Sequence, residues 1–78
     1  MKHEGVTSLA MYQGCIISAG RDGKIRFWNS KLQELEMIYL GEEINSINSR
    51  YGDYLAVATD RGVLAFDLMF RNQSAAPN

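Results

Sequence analysis

Ser-Ala-Gly-Arg-Asp-Gly-Lys-Ile-Arg-Phe-Trp-Asn, residues 18–29, is the stretch that decides the fold. Asp22-Gly23 lies between two runs rich in apolar and aromatic residues. This is a strong signal for a tight β-hairpin, because glycine adopts positive φ without steric cost. The stretch therefore predicts antiparallel strands on both sides of a turn at residues 21–23. With the strand that precedes them, the predicted strands of this unit are 6–12, 15–19 and 24–29.

The chain repeats this pattern when it is slid over itself by 38 positions, which places Val6 on Ile44. Asp22 then falls on Asp60, and apolar positions fall on apolar positions without a gap between residues 6 and 29. Self-similarity at a fixed period indicates a repeat architecture. We therefore predict a second unit built to the same plan, with strands at 44–49, 54–59 and 63–67.

The middle strand of each unit, 15–19 and 54–58, does not alternate apolar with polar residues. A strand without that period is usually buried on both faces. A lone sheet in a chain of 78 residues cannot cover both of its faces, so we expect sheets stacked on sheets.

The sequence of residues 31–40 is compatible with either a helix or a strand. Leu32, Leu35 and Ile38 have helical spacing, and Ser30 to Gln33 resembles a capping box. Residues 37–40 read equally well as a strand, and their place between the two units favours a fourth strand. The polar tail, 69–78, contains Met69-Phe70-Arg71, which is a candidate outer strand for the second unit. The predicted organisation is a first unit at 1–40, a partial second unit at 41–68 and the tail at 69–78.

Four short strands per unit and the motif of residues 18–29 resemble the WD-repeat family of β-propellers. The residues that carry the resemblance are Ser18, Asp22, Gly23, Ile25, Trp28 and Asn29. Trp28-Asn29 stands for the Trp-Asp dipeptide of the family, and Phe66-Asp67 is its degenerate copy. The resemblance spans residues 3–68, with a period slightly below the family's roughly 40–45 residues. It implies an all-β fold of antiparallel four-stranded blades, with about two WD-repeat-like blades per chain.

The resemblance also implies a structural tetrad, which His3, Ser18, Asp22 and Trp28 match in the first unit. A buried aspartate in a turn must be hydrogen bonded, and imidazole, hydroxyl and indole groups can supply those bonds. The second unit keeps only the turn aspartate, Asp60, and has Gly41, Ala56 and Phe66 at the other positions. We therefore expect no tetrad there, and packing alone.

Propellers of this family generally hold partner proteins or peptides on one rim without catalysis. The family's contact positions correspond here to Gly5, Thr7, Arg21, Glu43, Asn45 and Thr59. The alternative is that these six are ordinary turn and edge residues. The function implied is a non-enzymatic protein-interaction module or scaffold. The alternative function is a structural subunit, or a fragment of a larger propeller, without a recognition role of its own.

Composition argues against other classes of function. One cysteine and one histidine provide neither an internal disulfide nor a four-ligand zinc site, and eight basic against nine acidic residues give no bulk attraction to nucleic acid or anionic membrane. We expect no catalytic residues, cofactor or metal. Met1 to Gly5 is followed by no long apolar stretch, so we expect neither a leader nor a membrane span. A free cysteine suits a reducing compartment, which predicts a cytoplasmic or nuclear protein.

Two units do not close a ring, because propellers have about 4–8 blades. The open ends would expose unpaired strand edges and apolar faces. We therefore expect a homo-oligomer, in which three copies give six blades and four give eight, a domain-swapped dimer, or completion by another propeller chain.

Overall fold

A computed structural model of the chain describes residues 3–69. Within this range the fold is all-β and contains seven antiparallel strands in two sheets. Sheet 1 has the order β1-β2-β3-β4 and sheet 2 the order β5-β6-β7. The strands are β1 (Val6–Tyr12), β2 (Cys15–Gly20), β3 (Lys24–Trp28), β4 (Glu34–Tyr39), β5 (Ile44–Tyr51), β6 (Tyr54–Thr59) and β7 (Gly62–Asp67). Residues 3–69 include no helix of the length and apolarity that a membrane crossing requires.

The predicted strands are confirmed to within two residues at each end, and the fourth strand of the first unit is confirmed as β4. The helical alternative for residues 31–40 is wrong, because Asn29 builds a turn there. Its Oδ1 accepts hydrogen bonds from the backbone N–H groups of Lys31 and Gln33 at 2.9 and 3.0 Å. Leu32 has a φ of 63°, in the left-handed region, which is incompatible with a right-handed helix. Asn29 itself lies outside β3, which ends at Trp28.

Each sheet has two faces, which we name by rows of cross-strand neighbours. The front face contains the row Ser8-Ala19-Ile25 in sheet 1 and the row Ser46-Ala58-Val63 in sheet 2. Successive side chains of a strand point to opposite faces. The back face therefore contains the row Leu9-Ser18-Arg26 in sheet 1 and the row Ile47-Val57-Leu64 in sheet 2.

The front of sheet 1 packs against the back of sheet 2, with β1 next to β5. One buried cluster joins Ile17, Ala19, Ile25 and Phe27 of sheet 1 to Ile47, Leu55 and Val57 of sheet 2. Full burial of a side chain of this size stabilises the fold by about 1.5–3 kcal/mol. The two remaining faces point outward. Met11, on the back of sheet 1, is 63% exposed, and Val63, on the front of sheet 2, is 74% exposed.

The second sheet departs from the ungapped 38-residue register. Leu9 pairs with Ser18 in sheet 1, whereas Ile47 pairs with Val57 in sheet 2, one residue further along than expected. The cause is a bulge in β5 between Asn48 and Tyr51, which adds one residue to that strand. Val57, rather than Ala56, therefore occupies the position of Ser18.

The turn between β6 and β7 removes the added residue. Ala58 pairs with Val63 across four residues, whereas Ala19 and Ile25, at the corresponding positions, enclose five residues in sheet 1. The two changes cancel, so β7 returns to the original register, with Leu64 in the place of Arg26.

The prediction that both middle strands are buried on both faces is correct only for sheet 1. Residues 17–20 of β2 are all buried, while β6 alternates buried with half-buried residues. The difference arises because His3 and Trp28 cover Ser18 on the back of β2, whereas the front of β6 has no neighbouring sheet within residues 3–69. The candidate outer strand at 69–71 lies outside the described residues except for Met69, which follows β7 in a helical turn.

Candidate functional site

Four side chains form one hydrogen-bonded chain: two from strands of sheet 1, one from the β2–β3 turn and one from the N-terminal segment. Ser18, fully buried on the back of β2, accepts a hydrogen bond from Trp28 Nε1 at 2.9 Å. Its Oγ lies 2.7 Å from His3 Nδ1. His3 Nε2 lies 3.1 Å from the Asp22 carboxylate. The structure thus brings together the four residues to which the resemblance assigned the tetrad, and they link the N-terminal segment to two strands and a turn.

A neutral imidazole with its proton on Nε2 satisfies every contact in this chain. The indole N–H donates to the Ser18 oxygen, the Ser18 hydroxyl donates to His3 Nδ1, and His3 Nε2–H donates to Asp22. The His3 side chain is only 1% exposed, so both of its nitrogens need these partners. The ring therefore fixes the turn of β2 and β3 against the N-terminal segment.

Asp22 combines a tertiary contact with a local one. Its Oδ1 also accepts a hydrogen bond from the backbone N–H of Lys24 at 3.0 Å, which stabilises the turn. Partial burial would raise the pKa of Asp22, but the hydrogen bonds from His3 and Lys24 together outweigh it. The pKa of Asp22 therefore lies below its ordinary value.

Two glycines allow the neighbouring segments to approach this turn closely. A Cβ on Gly20 would lie 2.5 Å from the carbonyl oxygen of Gly5, and that oxygen accepts a hydrogen bond from the backbone N–H of Arg21 at 3.0 Å. Gly23 has a φ of 78°, and a Cβ there would lie 3.1 Å from the backbone of Glu42. The β4–β5 loop therefore packs directly over the β2–β3 turn.

A seam of hydrogen bonds joins β1 to β5. Thr7 Oγ1 donates to the carbonyl oxygen of Ile44 at 2.6 Å. Ser8 Oγ lies 3.1 Å from the backbone nitrogen and 3.4 Å from the carbonyl oxygen of Ile47. Ser49 Oγ donates to the carbonyl oxygen of Met11 at 2.6 Å. Hydroxyl groups thus satisfy the backbone of the inner strands, where no ladder of strand hydrogen bonds joins the two sheets.

The far end of the seam carries a contact that sequence reasoning missed. The Tyr12 hydroxyl donates to Asp53 Oδ1 at 2.8 Å, and the Asp53 carbonyl oxygen accepts from the backbone N–H of Leu68 at 2.7 Å. Desolvation, followed by the hydrogen bond and charge of Asp53, raises the pKa of Tyr12 above its ordinary value. Both residues lie beside turns, where only their tertiary pairing reveals a role.

The six candidate contact residues lie at one end of the two sheets, which we call the rim. The rim is formed by residues 3–7, the β2–β3 turn, the β4–β5 loop with the start of β5, and the β6–β7 turn. Gly5, Arg21 and Glu43 are exposed there. The side chains of the other three form hydrogen bonds with neighbouring residues of the same chain. Thr7 bonds to Ile44, Thr59 is buried and accepts from the Arg61 N–H at 3.1 Å, and Asn45 donates to Asp60 at 3.0 Å.

The Asn45–Asp60 bond corrects the expectation of packing alone in the second unit. Val57 and Phe66 cannot form a polar chain, and Asp60 is instead held by Asn45, which lies in a second irregularity of β5 between Ile44 and Ser46. Asn45 occupies the position of Thr7 in the 38-residue repeat. In both units, this position therefore holds a polar side chain that donates a hydrogen bond to a neighbouring residue.

A shallow cavity of about 260 Å³ opens on the rim beside the β6–β7 turn. It is lined by Glu42, Thr59, Arg61, Gly62, Val63 and Leu64. Glu42 and Arg61 face each other across it at 3.9 Å, and Arg61 is highly exposed. Such an exposed pair contributes little to stability. Sequence reasoning missed both residues as rim groups; the adjacent Glu42-Glu43 and the turn position of Arg61 were the available signals.

The described residues contain no cluster of three or more histidine, cysteine or acidic side chains that could hold a metal ion. The chain matches no protein-family model and no curated protein. Its function is therefore inferred from the packing of the two sheets and from the residues at their rim.

Proposed function

We propose that the chain is a non-enzymatic protein-interaction module of WD-repeat type, in which each sheet is a propeller blade. It works within an assembly that covers its open faces, and it binds a peptide or protein segment on the rim. The observation that carries this proposal is the packing of the front of one sheet against the back of the next, with their first strands adjacent. Repetition of that packing is how blades form a ring.

The hydrogen-bonded chain of His3, Ser18, Asp22 and Trp28 supports the assignment to this type. It fixes the turn that carries Arg21, because both Asp22 and the Gly5 carbonyl hold neighbouring backbone groups. A binding surface on rigid turns loses little conformational entropy when a ligand binds. The rim therefore presents Arg21 at a defined position without the turn having to fold on binding.

The charges of the rim define the ligand that it suits. Arg21 and Arg61 lie on turns of successive sheets, and Glu42 and Glu43 lie in the loop between them. Guanidinium groups bind carboxylates and backbone carbonyl oxygens, and the glutamates accept from lysine, arginine or backbone N–H groups. Such a mixed rim fits an extended polar peptide that carries charges of both signs.

A displayed peptide library selected on the wild-type chain tests the proposal. Peptides that bind should lose about tenfold or more in affinity when Arg21→Ala or Glu43→Ala is introduced, as measured by titration calorimetry. Arg50→Ala is the matched control, since Arg50 is exposed near the opposite end of β5. Its affinity should equal that of the wild type.

Two other outcomes count against recognition at the rim. If selected peptides bind Arg21→Ala, Glu43→Ala and the wild type equally, the rim is not the binding surface. If no peptide is selected and only core changes such as Trp28→Ala impair association with other chains, the chain is a structural subunit. Unchanged far-UV circular dichroism is required of each rim variant.

A further inference from the structure

We infer that the occupant of the two open faces is a second copy of this chain, which places the back of its sheet 1 against the front of sheet 2 of the first copy. The inference rests on the proposed function and names its assembly partner. The contact is head-to-tail and joins two different surfaces, so it leaves one open face on each copy and can be repeated.

The intrachain interface provides the geometry for this contact. Sheet 2 already presents its back to the front of sheet 1, with Ser8 Oγ bonded to the backbone of Ile47. Ser46 takes the place of Ser8 in the second sheet, because the same bulge precedes both, after Val6 and after Ile44. Leu9 likewise takes the place of Ile47. A second copy seated in the same way brings Ser46 Oγ of one copy to the backbone of Leu9 in the other.

The sizes of the side chains on the two open faces are complementary. The back of sheet 1 carries large exposed residues, Leu9, Met11, Met37 and Tyr39, which are 42–66% exposed. The two middle rows on the front of sheet 2 carry small residues, Asn48-Ala56-Ala65 and Ser46-Ala58-Val63, and Tyr54, which is 51% exposed, lies in the next row of this face. Large residues opposite small ones fill a core without voids or clashes.

The charges at the open faces agree with this pairing. Arg26 is the basic residue of the row Leu9-Ser18-Arg26 on the back of sheet 1, and its guanidinium is already bonded to Glu34 at 2.8 Å. Two front rows of sheet 2, Asn48-Ala56-Ala65 and Ser46-Ala58-Val63, carry no charge, and the acidic residue of this face, Asp67, lies at the end of β7 away from the rim. Association through these two rows therefore buries apolar surface without placing a charge of sheet 2 opposite Arg26.

Self-pairing of like faces fits the structure less well. Two backs of sheet 1 would place Met11, Met37 and Tyr39 against one another and leave the front of sheet 2 uncovered. Two fronts of sheet 2 would place the small residues of their middle rows against one another and leave the large exposed side chains on the back of sheet 1 uncovered. Only the head-to-tail contact covers both faces.

Two exposed-site variants and their mixture test the inference by light scattering. Met11→Glu blocks the back of sheet 1, and Val63→Arg blocks the front of sheet 2; both side chains are mostly exposed, so the fold should be retained. The wild type should reach a stable multiple of the 8.8 kDa chain mass. Each variant alone should be monomeric, because the contact needs one intact face of each kind and every copy of a variant has the same face blocked. An equimolar mixture should form a one-to-one dimer through the two intact faces.

A mixture that stays monomeric, or a single variant that assembles like the wild type, overturns the inference. Leu9→Lys and Ala56→Glu repeat the test at second positions, should either first variant fail to fold by circular dichroism. Ser46→Val should weaken assembly about fivefold or more relative to Ser46→Thr, which keeps the hydroxyl. Titration of a selected rim peptide against monomeric Met11→Glu separates the two proposals. Met11→Glu should bind the peptide as the wild type does. A wild type that binds the peptide but stays monomeric would overturn only the second copy, whereas a wild type that neither binds the peptide nor self-associates would overturn the proposed function.

Discussion

At the scale of single residues, Ser18 is the junction of the polar chain in sheet 1. Its buried hydroxyl lies 2.9 Å from Trp28 Nε1 and 2.7 Å from His3 Nδ1, so both nitrogens bond to the same oxygen. Serine suits this position because it is small enough for a strand that is buried on both faces, yet it can donate and accept at once.

Ser18→Ala should lower the free energy of unfolding by about 1–3 kcal/mol, because it leaves two buried nitrogens unsatisfied. Urea denaturation followed by Trp28 fluorescence measures the loss. Ser30→Ala, in the exposed β3–β4 turn, is the matched control and should change stability by less than about 0.5 kcal/mol. Equal effects of the two substitutions would show that the chain of hydrogen bonds does not stabilise the fold.

The lowered pKa of Asp22 predicts that the folded chain loses stability in acid. The folded-state pKa of this carboxyl lies below its ordinary value, so its ionised form stabilises the fold. That contribution is complete above the unfolded-state pKa of about 3.9 and is lost as the pH falls through the folded-state pKa. Asp22→Asn should therefore show a smaller drop in the free energy of unfolding than the wild type below about pH 4.

Urea midpoints at a series of pH values check this expectation. Ser30→Ala should follow the wild-type curve. If Asp22→Asn and the wild type lose stability in parallel below about pH 4, Asp22 is not held in its ionised form by His3 and Lys24.

At the scale of elements, the strands and turns were predictable because their signals are local. Asp22-Gly23 and Gln13-Gly14 mark hairpin turns by residue type alone. The short apolar runs on both sides of each turn are then predicted as the two strands of the hairpin. The fourth strand was ambiguous because Leu32, Leu35 and Ile38 fit a helix as well. The competing turn depends on Asn29 bonding to groups two and four residues away.

The register of β6 was not predictable from the repeat. An ungapped alignment assumes equal strand lengths, and the extra residue of β5 lies in a bulge where Asn48 Oδ1 accepts from the backbone N–H of Arg50 at 2.8 Å. Nothing in the spacing of apolar residues marks that position, since Ala56 and Val57 are both apolar. The resemblance named the four residues of the polar chain, but the Tyr12–Asp53 and Asn45–Asp60 pairs depend on tertiary placement.

The packing of the β4–β5 loop over the β2–β3 turn gives a prediction from two glycines with nearly equal backbone angles. Gly14 and Gly23 have φ values of 79° and 78°, but only Gly23 has backbone atoms where a Cβ would lie. Both Gly14→Ala and Gly23→Ala should lose about 1–2 kcal/mol from the left-handed conformation. Gly23→Ala should lose a further amount of about 1 kcal/mol or more, because Glu42 must move.

Thermal or urea unfolding of the pair measures the difference directly, since the shared backbone term cancels. An equal loss for the two variants would mean that the loop does not rest on the turn. In that event the rim would lose the rigidity on which the proposed peptide site depends.

At the scale of the whole molecule, the chain covers one face of each sheet and leaves one open. Chains of this size bury a comparatively small fraction of their surface, and association is one route to further burial. The rim and the open faces lie on different parts of the molecule: the rim consists of turns, and the open faces are the flat sides of the sheets. Assembly through the faces therefore leaves the rim available.

Stability should consequently depend on chain concentration. Because association stabilises the folded chain by mass action, the melting temperature of the wild type should rise as its concentration increases. Each additional kcal/mol corresponds to roughly 4–8 °C for a domain of this size. Melting curves from Trp28 fluorescence at concentrations from about 1 to 100 times the dissociation constant should thus show a rise on the order of 10 °C. Val63→Arg should melt at a constant temperature, because its front face on sheet 2 is blocked, and Arg21→Ala should follow the wild type, because the rim lies outside the contact. A wild-type melting temperature that does not vary with concentration would show that the open faces stay uncovered in solution.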